Sequence, residues 1–209
     1  DRQINGTYPT AEITEVKEYN LFPEDFQVSY AGLKLSKENR LPIQSYTELP
    51  VDTMATLTDT FSKLKYHESA LFQLIISPAG SEWRNSAKNF VKKAKEIPDE
   101  KDKKKKNKEN DDTLNFIEKK AEKSGFTADI RVVVVAEHKD DSDMHLGNIL
   151  STFDQYTKEG GNRFAKVDSK ELKRIDTDVI YRIPRESMVL NVEELATVFH
   201  FPNKNVEAP

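Results

Sequence analysis

The sequence predicts an α+β fold in a ferredoxin-like split βαβ arrangement. Two short runs are too apolar and too rich in strand formers for anything but central strands: Ala70-Leu71-Phe72-Gln73-Leu74-Ile75-Ile76 and the β-branched block Val132-Val133-Val134-Val135. Between and after them, apolar residues recur three and four apart, the spacing of helices that cover a sheet. The order that results is β-α-β, a helical insert, then β-α-β.

Taken in order, residues 1–24 are polar and irregular. Residues 26–36 alternate, with Phe26, Val28 and Tyr30 set against Gln27 and Ser29, as a half-buried strand does. Pro42 and Pro50 bracket a loop. Asp52 suits an N-cap for a helix over 53–65, whose stripe is Met54, Leu57, Phe61 and Leu64. After the first central strand, Pro78 and Gly80 stop the chain. Ser81 then caps a second helix bearing Trp83, Ala87, Phe90, Val91 and Ala94 on one face. Residues 98–112 are charged and carry no aliphatic or aromatic side chain, so a mobile insert is expected there. A short helix follows over 113–123, with Gly125 expected as its C′ residue.

The second central strand runs from Phe126 to Glu137, and Asp141 or Ser142 caps a helix to about 157. Gly160-Gly161 turns the chain. Residues 162–167 and 178–183 compete for the last strand. Asn191-Val192-Glu193-Glu194 has capping-box spacing and opens a short helix that Pro202 stops. Three regions result: an irregular segment over 1–24, the α+β domain over 25–184, and a C-terminal helix and linker over 185–209.

Composition excludes several classes. The formal net charge of −4 supplies no global attraction for nucleic acid or acidic membranes. There are no cysteines, hence no disulfide framework, thiolate zinc site or thiol nucleophile. No run approaches the ~18 apolar residues of a membrane span. Asn5-Gly6-Thr7 spells a glycosylation acceptor, a match common by chance. The opening Asp1-Arg2-Gln3 has neither a signal-peptide pattern nor an initiator Met, and reads as a cut within a longer protein.

No catalytic, cofactor-binding or metal-binding residue is expected. Neither G-x-x-x-x-G-K-[ST] nor G-x-G-x-x-G occurs, and the pair Gly160-Gly161 precedes a strand-like segment rather than a helix. His138, Asp140, Asp141, Asp143 and His145 are the densest group of metal-type ligands, but a strand end followed by acidic first-turn residues accounts for them. There is no nucleophile elbow. The lysines of 101–108 lack interleaved aromatics and are flanked by acids that cancel their charge, so a solvated insertion is expected rather than a phosphate grip. Trp83 lies on an apolar stripe and is expected in the core.

The stretch from Met188 through Glu194-Leu195-Ala196-Thr197-Val198-Phe199-His200-Phe201-Pro202 to Asn203 resembles a segment of the bacterial conjugative DNA-transfer and type IV secretion ATPases, TraG/VirD-like and HerA-like, in the form found in candidate-phylum bacteria. Glu18-Tyr19-Asn20-Leu21-Phe22-Pro23, Gln73-Leu74-Ile75-Ile76-Ser77-Pro78, Trp83, Ile130-Arg131-Val132 and Asn162-Arg163-Phe164 are similar to that family's segments in the same order. In the family the last segment precedes the motor domain, whose P-loop this chain lacks. The resemblance therefore implies a non-catalytic accessory domain that mediates subunit contacts or docks substrate and channel proteins. It implies a cytoplasmic location, in a parent anchored at the inner face of the membrane. Its partners would be other subunits, secretion-channel components or the motor domain, and nucleic acid only through the parent. Leu195, Val198, Phe199 and Phe201 are the candidate interface, with Leu195, Val198 and Phe199 expected to dock on this domain's own core. Two other readings are a free-standing interaction module and an enzyme with a scattered acid–base site.

Overall fold

A computed structural model describes residues 2–17, 20, 22–96, 108–167, 174–185 and 188–201. The elements are α1 (Arg2–Thr7), β1 (Gln27–Leu35), α2 (Thr53–Ser62), β2 (Ser69–Pro78), α3 (Glu82–Glu96), α4 (Lys108–Glu122), β3 (Gly125–Ala136), α5 (Lys139–Ser151), β4 (Phe164–Lys166), α6 (Ile175–Ile180), β5 (Met188–Asn191) and α7 (Val192–Val198). Short 3-10 turns occupy Tyr46–Glu48 and Thr152–Tyr156. The class is α+β, as expected.

β3 is the spine because it is buried on both faces. Ala128, Ile130, Val132 and Val134 look to one side, and Val133 and Val135 to the other, all buried. A strand buried on both faces needs such a continuous run rather than strict alternation. β2 pairs with it antiparallel along its whole length, from Ser69 opposite Val135 to Pro78 opposite Phe126. β1 takes the other edge, from Gln27 opposite Ala136 to Leu33 opposite Ile130, and β4 closes on β1. The order β2-β3-β1-β4 interleaves β1-α2-β2 with β3-α5-β4. β5 then occupies the stretch of β3 that β1 leaves free, Gly125 to Ala128, so β1 and β5 lie end to end along one edge. This fifth strand goes beyond the expected four-strand pattern.

The larger core lies on the face covered by α2, α5 and α7, where Leu33, Met54, Leu57, Leu146, Ile149, Phe153 and Val198 meet the sheet. The opposite face is covered at Val133 and Val135 by Ile175 and Val179 of α6 and by Phe22 and Phe26. α3 and α4 pack on each other through Ala87, Val91, Ile117 and Ala121, and Trp83 packs against this third cluster. Gly125 is a close approach: a Cβ there would fall 2.4 Å from the Trp83 ring.

Several sequence expectations are corrected. Residues 178–183 are not a strand. Ile175 and Val179, four apart, both turn to the sheet, a helical spacing that outweighs the short apolar run. The strand the pattern missed is β5, four residues buried throughout and too short to show a period. α4 begins at Lys108 rather than 113, and the rest of the charged run, 98–107, lies outside the described residues. Gly125 opens β3 instead of closing α4, and its φ is not positive. The cap of α5 is His138, which makes no side-chain cap bond. Asp140 and Asp141 sit in the first turn, where they oppose the helix dipole. Residues 2–7, expected to be irregular, form α1. Beyond 184, β5 and α7 belong to the same sheet and core as the rest, while 202–209 lie outside the described residues.

Candidate interaction groove

β2 ends the sheet, and among the described residues no strand pairs with its outer edge. Soluble proteins guard such edges with charge, proline or a bulge, because unpaired N–H and C=O groups invite another strand. Residues 69–77 contain none of the charged or proline guards; only Pro78, at the end, qualifies. A groove of about 720 Å³ runs along this edge, floored by residues 71–76 and walled by Val16 and Lys17, by Val179, Ile180 and Arg182, and by Phe199. Ile76 and Ile180 are each about half exposed there, at 48% and 49%.

The α6 wall is fixed from beneath by a buried ionic network. Arg131 is 1% exposed, Asp129 4% and Asp178 4%. Arg131 Nη1 donates to the Asp178 carbonyl at 2.6 Å and to Gln73 Oε1 at 3.3 Å. Its Nη2 donates to Asp129 Oδ2 at 2.6 Å and to the Ile183 carbonyl. Arg185 grips Asp178 with two bonds, 2.9 and 2.8 Å, and its backbone N–H donates to Asp129 Oδ2 at 2.8 Å. The Arg185 bonds hold the Asp178 carboxyl below the usual carboxylate range against the opposing cost of burial. Gln73 Nε2 then donates to the Val179 carbonyl at 3.0 Å, tying the edge strand to the wall. The turn out of α6 places Arg182 at φ 53°, a left-handed conformation uncommon outside glycine.

Phe199 forms the other end. Its ring stacks on Phe72 at 6.5 Å and meets Phe201 at 5.8 Å, and Phe201 meets Tyr8 at 5.7 Å. The four expected interface residues therefore divide. Leu195 (9% exposed) and Val198 (1%) lie in the main core, whereas Phe199 (38%) and Phe201 (52%) stand partly in solvent. Docking of α7 on its own domain is thus carried by Leu195 and Val198. Phe199, expected to dock with them, instead stands 38% exposed at the groove.

α7 is anchored by its capping box, which joins a buried ion pair. Asn191 Oδ1 accepts from the Glu194 N–H at 2.9 Å, and Glu194 Oε2 accepts from the Asn191 N–H at 2.8 Å. Glu194 Oε1 accepts from the Ile43 N–H at 2.9 Å, and Lys120 Nζ lies 3.1 Å from Oε2. Burial pushes the Lys120 amine down, opposed by the Glu194 charge. The pattern offered one signal for this pair: Lys120 shares the α4 stripe with Ile117 and Ala121, where a lysine is out of place.

The chemically suggestive groups do not converge. Of the histidine–aspartate cluster, Asp143 binds Ser29 and Lys139, His145 lies 3.0 Å from Glu68 across from α5, and Asp141 is near Lys65. Among the described residues, no three metal-type ligands come together. Ser29 Oγ accepts from the Lys139 amine at 2.6 Å, a contact that sequence did not foresee. Ser29 is 2% exposed and its neighbour Ser142 is fully buried, so the hydroxyl is out of reach of a substrate in solution.

Fold and groove together define an α+β domain whose β2 edge, among the described residues, is unpaired and unguarded from Ser69 to Ser77. The chain belongs to the family described as a domain of unknown function (DUF8128), whose model matches residues 1–209. No curated protein matches it.

Proposed function

We propose that this chain is a non-catalytic interaction domain, accessory to a type IV secretion or conjugative DNA-transfer ATPase, and that it docks its partner along the open edge of β2. The observation that carries the docking role is a ten-residue edge strand with no charge from Ser69 to Ser77, set in an apolar groove whose wall is braced by a buried ionic network. Strand addition to such an edge uses main-chain hydrogen bonds for affinity and flanking pockets for choice. The association with a secretion ATPase is supported by the resemblance of residues 188–203 and of the earlier segments. The domain performs no reaction itself in this reading. A location at the cytoplasmic side of the membrane follows from the same resemblance; among the described residues no helix is long and apolar enough to cross a bilayer.

The test is a photo-crosslinking residue at Ile76 in the cell that makes the protein, with products identified by mass spectrometry. Crosslinks to secretion or conjugation components are expected. Crosslinks confined to unrelated proteins would favour a free-standing interaction module, and their absence, with a functional control position, would remove the docking role.

A further inference from the structure

We infer that the groove along β2 takes an extended apolar segment of another protein that carries an acidic side chain, the acid meeting Lys17 and Arg182. This occupant presupposes the docking role proposed above. An edge strand pairs only with extended backbone, and β2 offers ten residues of it, a span of ~33 Å at ~3.3 Å per residue. The floor is Leu71, Phe72, Leu74, Ile75 and Ile76, interrupted only by Gln73. Side chains pointing into the groove must therefore be apolar.

Charge selects further. The groove's charged lining is Lys17 and Arg182, both basic, in a chain of net charge −4. Among the described residues neither is engaged in an ion pair. Arg182 sits in its left-handed turn between Asp178 and Ile183, whose carbonyls the Arg131 guanidinium holds. A second copy of this chain suits the groove poorly. α6 meets β2 near the strand's middle, through Gln73 and Val179, so a two-fold pairing of two β2 edges would gather Arg182 of both copies near the axis.

The experiment titrates the ¹⁵N-labelled full chain by NMR with two end-blocked heptapeptides that alternate Val and Thr, one with Asp at both ends and one with Lys. Both are expected to shift amides of residues 69–77. The Asp peptide should bind roughly two- to fivefold more tightly at low salt, the range exposed ion pairs supply. That gap should close in 0.5 M salt and in the double variant Lys17→Gln, Arg182→Asn. Asparagine tolerates the left-handed backbone, so this variant removes charge without straining the turn. Equal affinities with shifts in β2 would overturn the acidic preference and leave edge docking standing. Shifts that spare β2 with both peptides would overturn the occupant and the docking role together. Self-association through β2 without peptide, seen by sedimentation and by concentration-dependent shifts, would replace the acidic partner with a second copy.

Discussion

At the scale of single residues, three groups converge on the Glu194 carboxylate: the N–H of Ile43, the N–H of Asn191 and the Lys120 amine. Removing the acid leaves a buried, unpaired ammonium, which costs more than the pair contributes. Glu194→Gln is expected to lose about 3–5 kcal/mol in urea unfolding, and adding Lys120→Met should recover part of that loss. A single-variant cost below about 1 kcal/mol would contradict this role. Asp178 gives the pH dependence. Its carboxyl is depressed by Arg185, so its contribution is present above the unfolded carboxylate pKa of about 3.9 and is lost as pH falls through the lower folded value. Asp178→Asn lacks that contribution at every pH, so its stability should fall less steeply than the wild type below pH ~4. Parallel acid limbs would place the linkage on other carboxyls.

At the scale of elements, α7 and the β3–α3 contact make opposite demands on packing. Leu195→Ala empties a core site and should cost about 2–5 kcal/mol. Phe199→Ala removes a ring that is 38% exposed and should cost only about 1–2 kcal/mol. A Phe199 cost equal to that of Leu195 would mean that the ring is buried in solution. Gly125→Ala pushes a methyl into the Trp83 ring and is expected to destabilise by about 1–3 kcal/mol, with relief when Trp83→Leu is added. If the two changes are simply additive, the close approach does not govern that position. Element by element, legibility follows pattern length. Val132 to Val135 could only be a central strand, and Asn191 with Glu194 announced a helix start that the bonds fulfil. Asp178-Val179-Ile180-Tyr181-Arg182-Ile183 is apolar enough to compete as the last strand, and only the sheet packing of Ile175 and Val179 reveals the helix.

At the scale of the whole molecule, the groove was not legible because no single segment contains it. Val16, residues 71–76, Val179 to Arg182 and Phe199 are brought together only because β2 ends the sheet and α6 crosses back over the strand that flanks it. The apolar run of β2 read as a strand buried on both sides; its place at an edge depends on strand order, which local pattern does not encode. That edge carries the central claim, and amide hydrogen exchange in β2 tests it most directly. In an antiparallel edge strand, alternate N–H groups face the neighbour and the rest face outward. In the free chain, one alternate set over 69–77 should exchange slowly with β3 while the other exchanges fast, and the fast set should become protected on addition of the Asp-ended peptide. Uniform protection in the free chain, or a fast set unchanged by saturating peptide, would contradict docking at β2.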